Sequence, residues 1–177
     1  MAKFRWSNSR LTCYFTCPRS YELEYKEKVK VPKPWYFVFG DAIHSAVKIC
    51  HKGYRRAPFT PTPKRPLYFK SAESFGGFWL GHWKRTVARA KEKTGIRWSY
   101  PGQLDNLTGL GYQILAGTKD GKHPGYYNSI LNPPFPVKVL EVEYPIRPTL
   151  FGSYEFTAKI DQIWETPWGI AILDLTT

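Results

Sequence analysis

The feature that most constrains the fold is the C-terminal segment KIDQIWETPWGIAILDLTT, in which two apolar runs flank the tetrapeptide TPWG. Proline favours the second position of a type I turn and glycine the fourth, so residues 166–169 predict a tight turn between two strands. In simple register around this turn, Asp161 lies directly opposite Asp174, with their side chains about 5 Å apart on one face. A bulge in the hairpin would shift this register.

Two facing carboxylates repel each other, so this hairpin predicts a cation between them. The alternative is that both aspartates cap the turn or face solvent. The apolar neighbours Ile160, Ile163, Ile172 and Leu173 favour buried strands over that alternative.

The chain has 177 residues, a length typical of one domain with a sizeable core. Its hydrophobic fraction of 42% and aromatic fraction of 17% exclude a disordered protein. The net charge is +12 and the isoelectric point is about 9.6. This excess favours a polyanionic partner, nucleic acid before a membrane surface, over a solvated basic surface without a partner.

The sequence contains no run of eighteen apolar residues, so no transmembrane helix is predicted. Its N-terminus lacks the apolar stretch of a signal peptide, and we expect an intracellular, cytoplasmic protein. In that setting the odd number of cysteines argues against disulfides. We expect Cys13, Cys17 and Cys50 to be small buried residues, with a metal or cluster site as the alternative.

Helical signals dominate the first two thirds of the chain and strand signals the last third. Ser7 to Ser9 are good N-caps, Pro18 opens a second helix, and Asp41 is the expected cap of a helix that carries His44. Apolar residues recur at helical spacing in two further segments, 71–95 and 104–117. Strands are predicted over 137–147, 154–164 and 169–177. The fold class is therefore mixed, α/β or α+β.

The last predicted strand has apolar residues on both faces, as in a covered central strand. Because no helix follows it to cover the sheet, we expect the sequence to be shorter than its fold.

A small set of residues has the chemistry of a metal site. His44 lies on a predicted helix, Asp161 and Asp174 on the hairpin, and Glu141 or Glu143 on the preceding strand. Most of these donor atoms are oxygens, which are the ligands that Mg²⁺ and Mn²⁺ prefer. Beside a basic surface, such an ion would act on a phosphodiester. The alternative for His44 is a core histidine with one hydrogen-bond partner.

Three stretches in this order resemble the PD-(D/E)XK nucleases, in particular the RecB-like exonuclease branch. That branch includes the nuclease domains of helicase–nuclease repair complexes and the CRISPR adaptation exonucleases. The stretches are SNSRLTCYFTCPRSYELEY, FGDAIHSAV and AKIDQIWETPWGIAILDLTT. The first resembles the family's N-terminal signature, the second its histidine helix and the third its segment with two acidic ligands.

The resemblance implies a restriction-endonuclease-like core, with N-terminal helices followed by a central β-meander sheet that is incomplete at the C-terminus. We expect one domain over 1–177, divided into N-terminal helices with the histidine motif (1–56), a basic, proline-rich and helical insert (57–132) and the sheet (133–177). The implied activity is metal-dependent, exonuclease-like hydrolysis of DNA in processing or repair. His44, Asp161 and Asp174 are the implied ligands of Mg or Mn.

One position departs from the family pattern. Thr176 stands where the family has a lysine, and a hydroxyl cannot orient and acidify the attacking water as an ammonium does. In the predicted hairpin Lys159 faces Thr176, so we hypothesise that Lys159 delivers an ammonium to the site. The alternative for Lys159 is an ordinary surface lysine. The alternative function is a catalytically inactive nuclease-fold domain that binds nucleic acid or is a structural part of a larger complex.

The expected partner is DNA, as single strands or ends, with other subunits or a further C-terminal segment completing the domain. Candidate base-stacking residues are Trp79, Trp83, Trp98 and Tyr100, although most of these are expected in the core. Some relatives hold an iron–sulfur cluster through an N-terminal cysteine and several C-terminal ones. The absence of C-terminal cysteines here argues against a cluster. DNA or RNA as substrate and the cleavage polarity stay open, as does a basic binding module of unrelated fold.

Overall fold

The computed structural model describes residues 5–52, 69, 71–131, 138–150 and 154–174. Its helices are α1 (Asn8–Thr16), α2 (Pro18–Tyr21), α3 (Trp35–Lys52), α4 (Ala72–Lys93) and α5 (Gln103–Ala116), with π-helical turns at Glu22–Lys26 and Tyr127–Leu131. Its strands are β1 (Arg5–Ser7), β2 (Lys33–Pro34), β3 (Ile96–Arg97), β4 (Lys138–Ile146), β5 (Thr149–Leu150), β6 (Tyr154–Thr166) and β7 (Gly169–Leu173). The predicted mixed class of helix and sheet is confirmed.

Local capping signals place the first helices where the sequence predicts them. Ser7 caps α1, and its hydroxyl accepts a hydrogen bond of 3.4 Å from the backbone N–H of Arg10. Pro18 occupies the first turn of α2, where its missing N–H leaves no helical hydrogen bond unmade.

Helix α3 begins earlier than the sequence predicts. It starts at Trp35, so Asp41 lies inside the helix and its predicted role as N-cap is wrong. The reason is tertiary burial: Val38 and Phe39, in the added turn, are almost fully buried and hold that turn in the core. Asp41 is exposed and lies 3.8 Å from the ammonium of Lys33.

The long strand β6 is the centre of the larger sheet. On one side it pairs with β4 and then with β5, both antiparallel, and one irregularity between Val139 and Glu141 shifts the register with β4. On the other side β1 runs parallel to residues 155–157 and β7 runs antiparallel to residues 162–166. The stretch of β6 between these two neighbours carries Lys159 and Asp161.

The predicted hairpin register is confirmed. Thr166 pairs with Gly169 across the two-residue turn, and the pairing continues without a shift to Gln162 and Leu173. The Thr166 hydroxyl closes the turn by donating to the Gly169 carbonyl oxygen at 2.9 Å. β1 was not predicted, because a three-residue strand that pairs through its backbone has no hydrophobic signature.

Strand β7 is less covered than its sequence predicts. Ala171 and Leu173 pack against the core, but Ile170 and Ile172 are 64% and 66% exposed. The prediction of a strand buried on both faces is therefore wrong for the described part of the chain. Alternation sends every second side chain to the face away from the core, whatever its polarity.

The core lies between α3, α4, α5 and the face of the sheet that carries Val139 and Trp164. Trp79 and Trp83 stack with ring centroids 5.5 Å apart, and Phe39 from α3 packs edge-on to both. Both indoles are fully buried, so Trp79 and Trp83 cannot stack on nucleic-acid bases.

Two glycines of α5 differ in what surrounds them, which predicts opposite effects of alanine. A Cβ on Gly111 would lie 2.1 Å from the ring of Trp79, whereas one on exposed Gly109 would meet nothing within 4 Å. We expect Gly111→Ala to lower the free energy of unfolding by about 1–3 kcal/mol through overpacking. The matched control Gly109→Ala should raise it by about 0.5–1 kcal/mol. Urea denaturation measures both, and equal effects would contradict this packing.

Candidate active site

Helix α3 and strand β6 bring two of the predicted site residues together. The Nδ1 atom of His44 lies 3.4 Å from Oδ2 of Asp161. The side chains are 34% and 20% exposed, so the pair is sheltered but open to solvent on one side. His44 is therefore placed at the sheet rather than within an apolar part of the core.

A second pair lies one helical turn further along α3. The ammonium of Lys48 is in direct contact with Oε2 of Glu143 on β4. The ammonium of Lys159 lies 3.8 Å from the same oxygen. Two lysines thus contact the carboxylate of Glu143. Lys48 was missed, although its spacing of four from His44 indicates the same helix face.

Asp174 follows directly after Leu173, the last paired residue of β7, and it is exposed. Extending the confirmed hairpin register by one step puts Asp174 opposite Asp161. In the ranges that the structure describes, no group of three His, Cys, Asp or Glu side chains is clustered as a metal site. The metal roles of His44, Asp161 and Asp174 therefore stay predictions, and Thr176 lies outside the described residues.

The chemistry and spacing of the donors fit a small divalent cation. Two cis ligands of octahedral Mg²⁺, each at about 2.1 Å, are about 3 Å apart. The distance of 3.4 Å between His44 and Asp161 is close to that value. His44 and Asp161 would thus hold such an ion after a small adjustment, with Asp174 as the next available carboxylate.

A buried chain of hydrogen bonds lies next to the candidate site and joins β6 to α3. The Trp164 indole N–H donates to Oε1 of Gln162 at 2.8 Å, and Nε2 of Gln162 donates to the Tyr126 hydroxyl at 2.9 Å. That hydroxyl is 2.8 Å from Nε2 of His51. Because an indole only donates, it fixes the orientation of the amide. The Tyr126 hydroxyl and Nε2 of His51 form the last link of the chain, in which the tautomer of His51 sets which of the two donates.

Burial shifts the titration of this network away from physiological pH. Desolvation lowers the pKa of His51 to about 3 and raises the pKa of Tyr126, which the hydrogen bond from Gln162 opposes. Both groups therefore stay neutral near pH 7. No sequence signal identified this network, because its members come from three distant segments.

The cysteines divide between surface and core. Cys50 is fully buried, as predicted, and burial raises the pKa of its thiol. Cys13 and Cys17 are partly exposed, so the expectation of burial is wrong for these two. Cys13 lies within α1, in which none of the residues is buried, and Cys17 lies between α1 and α2.

The exposed face of α4 is strongly basic, as the sequence predicts, and it carries Lys84, Arg85, Arg89, Lys91 and Lys93. Of the remaining stacking candidates, Tyr100 is 48% exposed and Trp98 is partly buried beside it. Both line a shallow depression at residues 98–104.

Over the described residues, none of the helices has the length and apolar character needed to span a bilayer.

Comparison with known families decides the classification. The family model of the PD-(D/E)XK nuclease superfamily matches residues 5–175, nearly the whole chain. The chain belongs to the PD-(D/E)XK nuclease superfamily. The nuclease-type fold follows from this membership, and members of this superfamily are generally dependent on divalent metals. No curated protein and no solved structure matches the chain significantly.

The depressed pKa of His51 predicts a pH-dependent stability of this PD-(D/E)XK chain. An unfolded histidine titrates near pH 6.5, so between pH 6.5 and about 3 the unfolded state binds one more proton. We expect stability to fall as pH decreases through this window, by up to about 1.4 kcal/mol per pH unit from this residue.

Urea unfolding at pH 7, 6, 5 and 4 measures this dependence. In His51→Gln the contribution should disappear, while His123→Gln, at an exposed loop position, should retain it. A parallel pH dependence in the wild type and His51→Gln would contradict the assignment.

Proposed function

We propose that this chain is a metal-dependent DNA nuclease, with exonuclease-like action in DNA processing or repair. The observation that carries the proposal is the His44–Asp161 pair, at 3.4 Å and partly open to solvent, within a PD-(D/E)XK superfamily chain. The three sequence stretches that resemble the RecB-like branch support an assignment to that branch.

In this proposal His44, Asp161 and Asp174 hold one Mg²⁺ or Mn²⁺. When bound, the cation lowers the pKa of a coordinated water and neutralises charge that develops on the phosphate oxygens. The side chains themselves orient the ion from two directions, a helix on one side and the hairpin on the other. Their partial burial strengthens these electrostatic interactions relative to bulk water.

The surface charge supports DNA as the substrate. The net charge of +12 and the exposed basic face of α4 favour binding to a phosphate backbone. Tyr100 provides an exposed aromatic ring of the kind on which unpaired bases stack, which supports single strands or ends. We place this activity in an intracellular, cytoplasmic setting, with other subunits as further candidate partners.

Thr176 favours a second candidate function. With a threonine in the position of the family's lysine, the domain would bind nucleic acid without cleaving it, or serve as a structural part of a larger complex. Metal binding is common to both candidates, so only a cleavage assay separates them.

Replacing Asp161 tests the proposed function directly. We expect the wild type to degrade a labelled single-stranded oligonucleotide with Mn²⁺ and to lose this activity with a chelator. Asp161→Asn should lower the rate by about 100-fold or more, because it removes a charged ligand. Calorimetric titration should show a matching loss of Mn²⁺ affinity.

The control is Asp105→Asn, on the exposed first turn of α5, which should leave both cleavage and Mn²⁺ binding unchanged. Wild-type protein that binds Mn²⁺ and DNA but does not cleave would support the inactive domain instead. Unchanged Mn²⁺ affinity in Asp161→Asn would remove this aspartate from the site.

A further inference from the structure

Helix α3 contributes two polar side chains to the sheet, one turn apart. His44 meets Asp161 on β6, and Lys48 meets Glu143 on β4. Residues four apart on a helix lie on the same face, so the imidazole and the ammonium point to one region of the sheet.

The two acids also lie next to each other. Val142 pairs with Gln162 and Tyr144 with Ile160, which puts Glu143 level with Asp161 on the neighbouring strand. Lys159, two residues before Asp161 on β6, also reaches the Glu143 carboxylate, at 3.8 Å. The ammonium that contacts Glu143 is therefore part of the same site as the proposed metal ligands.

The backbone of Glu143 is strained at this point. Its φ of 52° lies in the left-handed region, which a non-glycine residue adopts only at an energetic cost. Such a conformation persists only where the surroundings enforce it. Here two lysines, Lys48 and Lys159, hold the carboxylate from two elements.

The two lysines differ in how firmly they are held. Lys48 contacts Glu143 directly and its side chain is 31% exposed, whereas Lys159 lies 3.8 Å away and is 64% exposed. A more exposed lysine loses more side-chain entropy when it is fixed on a ligand. Lys48 is thus the better preorganised ammonium.

We propose that Lys48 binds the phosphate of the nucleic acid at this site, an inference that rests on the proposed nuclease function. Glu143 is the positioning residue of Lys48. An ammonium has three N–H donors, and the contact with Glu143 uses one. Another donates to a non-bridging oxygen of the phosphodiester beside His44 and Asp161. Lys48 thereby supplies the positive charge that the sequence lacks at Thr176, and it does so from the helix instead of the hairpin.

The first test measures binding without metal. Affinity for a labelled single-stranded oligonucleotide is measured in chelator over a range of salt concentrations. Loss of one phosphate contact should lower the slope of log affinity against log salt by about 0.7. We expect this decrease in Lys48→Met, a smaller one in Lys159→Met, and restoration in Lys48→Arg. Lys122→Met, on an exposed loop, is the matched control and should show the wild-type slope.

The second test measures cleavage with Mn²⁺ in the same variants. Lys48→Met should lower the rate by about 100-fold at unchanged Mn²⁺ affinity, because it removes one donor to the charge on the phosphate. Glu143→Gln should lower the rate less, because the lysine is retained. Circular dichroism establishes that each variant is folded, and Lys48→Arg provides a folded variant with the charge kept.

The outcomes separate the two proposals. An unchanged salt slope in Lys48→Met, or the full loss in Lys159→Met instead, would overturn the role of Lys48. A reduced slope in Lys48→Met, together with a wild type that cleaves nothing, would support the phosphate contact and overturn the nuclease activity.

Discussion

The pairing of β6 with its neighbours is the constraint on which the rest of the structure depends. β6 carries Asp161 towards α3 and, at the next position, Gln162 into the core. A shift of the register by one residue would change which side chains of β6 meet α3 and the core. The uninterrupted hairpin with β7 and the long ladder with β4 make such a shift costly.

Buried hydrogen bonds also constrain the position of α3 on the sheet. A chain of hydrogen bonds runs from Trp164 through Gln162 and Tyr126 to His51. Breaking one link leaves a buried polar group unsatisfied, at a cost of about 1–3 kcal/mol. Because His51 lies two helical turns from His44, the same network holds the helix that carries His44 and Lys48 at the sheet.

The candidate site combines opposite charges in a small space. Asp161 and Glu143 lie level on adjacent strands, and His44, Lys48 and Lys159 surround them. This pattern suits a site that handles both a cation and a phosphate, since each needs a partner of opposite sign. The exposed basic face of α4 adds positive charge to the surface, which supports the proposed nucleic-acid substrate.

Local signals in the sequence determined the helices, the turn at residues 166–169, the register of the hairpin and the mixed fold class. Each depends on neighbouring residues: a proline and a glycine in a turn, a serine at a helix start, or alternation along a strand. The resemblance to the PD-(D/E)XK nucleases was likewise carried by short stretches in order, and the superfamily match confirmed it. The start of α3 was misplaced, because burial of Val38 outweighed the capping signal at Asp41.

Only the tertiary structure decided which side chains meet. It joined His44 to Asp161, joined Lys48 to Glu143, exposed Ile170 and Ile172, and buried Trp79 and Trp83. Periodicity tells which face of an element a residue occupies, but it does not tell which element lies opposite that face. That depends on strand order and helix packing between segments about 100 residues apart, and these long-range contacts leave no pattern within a single stretch of sequence.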